Sequence, residues 1–256
     1  IKVLGMAAFA GAFSATAMAD SLTVVSWGGA YTASQKSAYH DPWTKKTGDT
    51  IVNVDKAQAG LAGLRAQVEA GNVTWDLVDM LPSEAQIACD EGLVDIINHD
   101  QDLAASPDGV APSKDFIAGS LSECFVPQIV YSNIIAFNTT MFSGKQPSTM
   151  KDVFDLKGFP GKRSLQKKPI NNLEWALMAD GVPTDKVYDM LRTEEGVNRA
   201  FAKLDTIKDN VIWWEEGAQP PQLLADKEVA FASGYNGRIF NAQVNEKQPF
   251  QIIWDA

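Results

Sequence analysis

Apolar positions along this chain switch repeatedly between a strand period and a helix period. Residues 22–27 form a short β-branched run that ends at Trp27 and is punctuated by Gly28, Gly29 and Ala30. A helical stretch over 32–46 follows, with Gly48 as its stop. Residues 50–54 read as a second strand, after which Leu61, Leu64 and Val68 recur at helical spacing as far as Gly71. A third strand over 76–80 leads into a helix over 83–91 that stops at Gly92. This strand–helix alternation predicts βαβ units, and hence a parallel sheet with helices on both faces.

Residues 125–138 break the pattern with a long, β-rich apolar run that is expected to carry the chain from one lobe to another. Alternation then resumes. Strands are predicted at 161–166, 210–214, 228–232 (stopping at Ser233-Gly234) and 250–254. Helices are predicted at 171–179, 184–191, 194–204, 219–225 and 237–245. No cap or tail follows the last strand, so a further C-terminal segment is expected. Two αβ lobes joined by extended segments suggest a ligand cleft between hinged domains.

The amino terminus says where such a cleft works. Lys2, the apolar stretch from Val3 to Phe13 and Ala17-Met18-Ala19 make a basic start, a short apolar core and an A-x-A site. Residues 1–19 therefore read as a secretory signal removed after Ala19, too short to be a permanent membrane span. Export makes a bond between Cys89 and Cys124 the expected state, closing a loop of about 35 residues for roughly 3–4 kcal/mol of stability. Two buried free thiols are the other reading. A formal net charge of −10 argues against a nucleic-acid partner, whose phosphates need a basic surface.

The sequence carries no positive sign of catalysis. Its two histidines, His40 and His99, lie far apart without a metal-ligand cluster and read as surface residues. There is no G-x-S-x-G elbow, H-E-x-x-H pair, P-loop or G-x-G-x-x-G fingerprint. No cofactor, metal or catalytic residue is expected. A pair of carboxylates needs no linear motif, so an exported hydrolase using the cleft stands as the alternative.

Candidate binding groups sit where strands end, the usual ligand edge of αβ lobes. Trp27, Gly28, Gly29 and Tyr31 end the first strand, with glycines that permit close backbone approach. Asp79, Pro82, Ser83 and Glu84 end the third, Ser83 also being a candidate helix N-cap. Glu174 follows Asn171 and Asn172 in a polar helix start after Lys167-Lys168-Pro169. In Trp213-Trp214-Glu215-Glu216, indoles and carboxylates together suit an ammonium ligand. Strand alternation lets only one indole face the cleft, and Trp214 with Glu215 is the favoured pair. Tyr235 could stack, Asn236 adds a polar group, and Arg238 could hold a carboxylate bidentately.

These segments resemble the extracellular solute-binding proteins of ABC importers, specifically the spermidine/putrescine-binding branch. The resemblance rests on Val25-Ser26-Trp27 with Tyr31, Trp75-Asp76-Leu77-Val78, Cys89 to Leu93, Asn133 to Asn138, Trp214-Glu215 with Pro220 to Leu224, and Tyr235-Asn236-Gly237. It implies a two-lobed α/β architecture, the type II periplasmic-binding fold, each lobe a mostly parallel sheet flanked by helices. Lobe 1 would comprise 20–135 and 236–256, and lobe 2 residues 136–235 with its C-terminal part missing. It also implies a periplasmic monomer that captures a small amine and delivers it to an inner-membrane permease.

Polyamine binders place an acid between the first-strand Trp and the next Tyr, where this chain has Gly28, Gly29 and Ala30. Their hinge Trp and Asp correspond to Tyr235 and Gly237. A diamine needs an anion near each ammonium. An amino-acid-like amine such as 4-aminobutyrate therefore competes with putrescine and spermidine as the ligand.

Overall fold

The computed structural model describes residues 20–56 and 60–255; the segment read as a signal peptide lies outside them. In the first lobe β1 (Ser21–Ser26), β2 (Thr50–Asp55) and β3 (Leu77–Val78) form a parallel sheet in the order β2-β1-β3. After β1 come α1 (Gly29–Gln35), a π-helical turn (Lys36–His40) and α2 (Asp41–Thr47), which Gly48 ends in the left-handed conformation at φ 88°. An L side chain pays roughly 1–2 kcal/mol for that conformation. Helices α3 (Gly60–Glu69) and α4 (Pro82–Asp90) complete the alternation.

The buried positions of the helical stretch after β1 are Thr32, Gln35 and His40, so its inward face is polar. His40, expected at the surface, is only 4% exposed for that reason; apolar periodicity gives no warning of a polar inner face. His99 is partly buried, with Nε2 2.7 Å from the Ser122 carbonyl oxygen. Cys89, near the end of α4, is bonded to Cys124. The bridge staples a loop-rich stretch holding the short helices α5 (His99–Asp102) and α6 (Pro112–Asp115).

The second lobe begins at β4 (Asn133–Asn138) and continues through α7 (Met150–Phe154), β5 (Arg163–Gln166), α8 (Asn172–Ala179), α9 (Val187–Leu191) and α10 (Glu194–Asp205). It goes on through β6 (Val211–Trp214), α11 (Gln219–Ala225), β7 (Phe231–Tyr235), α12 (Asn236–Val244) and β8 (Phe250–Ile253). The strand order is β6-β5-β7-β4-β8. β5 runs parallel to β6 and β7, and β4 runs antiparallel to β7 and β8, so this sheet is mixed rather than mostly parallel.

Both faces of the sheet are covered, which explains the unbroken apolar run of β4. Ile135 and Phe137 point into one core with Leu165, Phe231 and the α8 residues Trp175 and Leu177. Ile134 and Ala136 point into the other with Leu224 and Ile239. Side chains of successive strand residues take opposite faces. Arg163 is fully buried in the first of these cores. Nε donates to the Val153 carbonyl at 2.7 Å and Nη2 to that of Phe159 at 2.7 Å, and the guanidinium lies 4.8 Å from the Phe231 ring centroid.

The lobe boundaries and the end of β7 differ from those expected. Residues 236–256 do not return to the first lobe: β8 pairs with β4 in the register Ile135↔Ile253 and Ala136↔Ile252, burying Phe250 and Ile253 in the second. β4 itself, starting at Asn133, also belongs wholly to the second sheet. Strand β7 runs through Ser233 and Gly234 instead of stopping there, because both pair with β4 and Ser233 accepts a buried hydrogen bond from the Trp214 indole.

Thiol titration of the unreduced protein is expected to find no free cysteine. Replacing both cysteines with serine is expected to lower the unfolding free energy by about 3 kcal/mol, measurable by denaturant titration.

Candidate functional site

The loop that closes β1 is built around two glycines in left-handed conformation, Gly28 (φ 73°) and Gly29 (φ 59°). The Gly28 amide donates to Thr32 Oγ1 at 3.0 Å, and that hydroxyl donates to Asp55 Oδ1 at 2.8 Å, tying the loop to both α1 and β2. From the second lobe, Arg238 on the first turn of α12 reaches this loop. Its Nη2 donates to the carbonyl oxygens of Trp27 at 3.0 Å and Gly28 at 3.1 Å. A Cβ on Gly29 would stand 2.9 Å from Arg238 Nη1, and one on Gly217 would stand 3.1 Å from Arg238 Nε. The guanidinium thus crosses the seam between lobes through a slot that only glycines leave open. Burial lowers its pKa, opposed by Tyr235, Asp55 and Glu216, yet an arginine stays charged.

Beside this crossing lies a cavity of about 360 Å³. Trp27 and Tyr31 line it from the first lobe, and Tyr235, Asn236 and Arg238 from the second. Trp27 and Tyr31 have ring centroids 5.5 Å apart. Asn236 also fixes the chain crossover, since its amide donates to Ser132 O and its Oδ1 accepts from the Ser132 amide, both at 3.0 Å. Tyr235 packs edge to face on Tyr131, another lining residue, at 5.4 Å. Burial raises the Tyr235 pKa, so its hydroxyl stays protonated.

Other candidates from the sequence lie elsewhere. Trp214 does not face the cavity: it is 1% exposed, donates from its indole to Ser233 Oγ at 2.8 Å and lies beneath Tyr235 at 5.8 Å. Trp213, on the opposite face of β6, is 45% exposed and does not line the cavity either. Glu215 is exposed and pairs with Lys167 at 3.1 Å. Glu174 is partly buried on α8, away from the cavity lining. Ser83 is exposed and is not the N-cap of α4, a position held by Leu81.

Asp79 sits behind the aromatic wall. Gln35 Nε2 donates to Asp79 Oδ2 at 2.8 Å and also to Gln128 Oε1 at 3.3 Å, which in turn accepts from the Tyr31 hydroxyl at 2.8 Å. Gln128 Nε2 donates to the Tyr39 hydroxyl as well. This network pins the crossover segment to α1. Burial raises the Asp79 pKa, and the donors around its carboxylate oppose the rise.

Lys168, Tyr131 and Glu84 also line the cavity; of the three, only Glu84 was singled out from the sequence, among the polar groups that end the third strand. Glu84, at the third position of α4, accepts weakly from the Leu81 amide at 3.4 Å. Its one available signal was its place in the first helical turn after β3. Tyr131 was hidden in the long apolar run before β4, and Lys168 in a pair of lysines.

Residues 38–256 match the bacterial extracellular solute-binding proteins. The chain belongs to that family. The solute-binding protein is 39% identical over 251 residues to the gamma-aminobutyric acid-binding protein of Pseudomonas aeruginosa, covering 98% of this chain and 68% of that one. The structure of MotA from A. tumefaciens B6 in complex with glucopine is 36% identical, with a TM-score of 0.74 over 91% of this chain and 68% of its own. A GABA receptor structure is 33% identical, with a TM-score of 0.66 over 92% of this chain and 68% of its own.

These neighbours share the type II periplasmic-binding fold and are binding proteins of ABC transport rather than enzymes. The solute-binding protein is accordingly an ABC substrate-binding component of an exported family. A spermidine/putrescine-binding protein from Streptococcus pneumoniae is 16% identical with a TM-score of 0.61, a likeness of fold alone. The family assignment therefore stands at the broader level and not at the polyamine branch.

A carboxyl whose folded-state pKa is raised is more stably housed when protonated, so the stability it withholds at neutral pH returns as pH falls through that pKa. Asp79→Asn is therefore expected to raise the melting temperature at pH 7. The gap from wild type should narrow as pH approaches the ordinary Asp range near about 4, as read by thermal scans across that interval.

Proposed function

We propose that this solute-binding protein captures an amino-acid-like amine of the 4-aminobutyrate type between its lobes and delivers it to an inner-membrane ABC permease. The observation that carries the reading is Arg238: a half-buried guanidinium at the cavity whose recorded partners, among the described residues, are two carbonyl oxygens and no carboxylate. A ligand carboxylate would complete it, since guanidinium and carboxylate pair through parallel hydrogen bonds. The ligand ammonium is assigned to Glu84 and the faces of Trp27, Tyr31 and Tyr235.

Because Arg238 already holds the Trp27 and Gly28 carbonyls, a carboxylate bound to it would join both lobes at one group. Closure then follows from ligand affinity that is greater in the closed state. Two relatives named for gamma-aminobutyric acid, at 39% and 33% identity, support this ligand class. A diamine is disfavoured by Glu84 being the one carboxylate in the lining among the described residues. The same count tells against the hydrolase alternative, which needs two carboxyl groups about 5–9.5 Å apart across the scissile bond. Residues 1–19 are proposed to direct export, with cleavage after Ala19, on the strength of their charge, apolar core and A-x-A site.

Calorimetric titration is expected to show 4-aminobutyrate binding more tightly than putrescine or spermidine. Arg238→Met should weaken 4-aminobutyrate at least tenfold, or about 1.4 kcal/mol, and Glu84→Gln should weaken it similarly. A diamine that binds more tightly and is insensitive to Arg238→Met would overturn the reading.

A further inference from the structure

Lys167 and Lys168 are neighbours in sequence with different fates in the fold. Lys167 Nζ donates to Glu215 Oε1 at 3.1 Å. Lys168 lines the cavity and forms no ion pair among the described residues. The turn that presents Lys168 is fixed from inside the lobe. Asn172, 3% exposed, donates through Nδ2 to the carbonyl oxygens of both Gln166 and Lys168, each at 2.7 Å. The Lys168 amide donates to Gln166 O at 2.8 Å, and Asn171 turns the chain at φ 67° into α8. The same Gln166 reaches the Tyr235 hydroxyl through Nε2 at 3.4 Å, linking this turn to the cavity wall. A buried amide that satisfies two carbonyls of one turn gives that turn a defined shape.

The cavity lining consequently holds two cations, Arg238 and Lys168, against one carboxylate, Glu84. A ligand with one ammonium and one carboxylate matches Glu84 and Arg238 and leaves Lys168 without an anion. At about 360 Å³, within the roughly 300–1,000 Å³ of small-molecule sites, the cavity has room for a ligand with a second carboxylate.

We propose that the physiological ligand carries a second acidic group and that Lys168 is the residue that selects it. The substrate class is an amino-acid-like compound with one ammonium and two carboxylates. This rests on the reading of the cavity as the ligand site and narrows it: Arg238 takes the carboxylate common to the whole ligand class, and Lys168 discriminates within it. Asn172 is a positioning residue for Lys168, acting through the backbone of the turn.

The test compares 4-aminobutyrate with L-glutamate, the same skeleton bearing a second carboxylate, by calorimetric titration of the whole protein. Wild type is expected to bind L-glutamate about fivefold more tightly, the upper end for a solvent-accessible ion pair. Lys168→Gln should cost L-glutamate more than 4-aminobutyrate, bringing the ratio of affinities close to one, and Lys168→Arg should restore the preference. Wild type that binds L-glutamate no better than 4-aminobutyrate overturns the proposal. So does a Lys168→Gln loss equal for both ligands, which would mean that Lys168 shares a single carboxylate with Arg238. In either case 4-aminobutyrate binding that still depends on Arg238 leaves the broader function standing. Binding of neither compound removes both readings together.

Discussion

A guanidinium brings five N–H donors and no acceptor, so half-burying one at a seam dictates what must surround it. Arg238 stands at the start of α12 in the second lobe and finds its acceptors on the loop after β1 in the first. That loop can approach because it is Gly28-Gly29, and the opposite side of the slot is open because residue 217 is glycine. Arg238 also lines the cavity, so the contact that joins the lobes contributes a fixed cation to the space between them. Acidic groups at positions 28–30, as in the polyamine pattern, would place carboxylates against Arg238 and cancel its attraction for an anionic ligand. On the proposed reading, carboxylate recognition and lobe contact are one arrangement.

The two sides of that arrangement are built differently. The second lobe is a five-stranded mixed sheet with apolar cores on both faces, and it includes a buried Arg163 whose charge is met by carbonyl oxygens and the Phe231 ring. The first lobe has a three-stranded sheet and a polar inner helix face, where Gln35, Gln128, Tyr31 and Asp79 are joined by hydrogen bonds. Such a network holds its groups in register without supplying much apolar burial. Its elements end close to the aromatic wall, so the orientation of Tyr31 depends on the crossover residue Gln128, and the orientation of Tyr235 depends on the packing of Trp214 beneath it.

Much of the secondary structure was legible because its signals are local. Gly48, Gly71 and Gly92 end helices through a left-handed backbone that other residues resist. The helix predicted at 219–225 is found at those bounds as α11, and the strand predicted at 210–214 appears as β6 (Val211–Trp214). The β7 boundary was missed because Ser233 and Gly234 look like a turn, while their neighbours in space, Trp214 and β4, make them strand. The polar burial of His40 was missed for a related reason: hydrophobic period reports only apolar faces. Glu215 and Trp214 promised an ammonium site from adjacency along the chain, yet one is paired at the surface and the other is packed below it.

By itself the sequence determined the αβ alternation, the two lobes and the pairing partners of its cysteines, and offered Arg238 as a candidate cation, since each depends on residue chemistry at short range or on there being only two thiols. Tertiary structure alone decided the rest. Placing β8 beside β4 rather than in the first lobe is a competition between sheet edges, settled by which edge buries Phe250 and Ile253. Lys168 rather than Lys167 faces the cavity because Asn172 fixes one turn from within. Charges separated by tens of residues become one site only when the chain brings them together, and no local pattern records that distance.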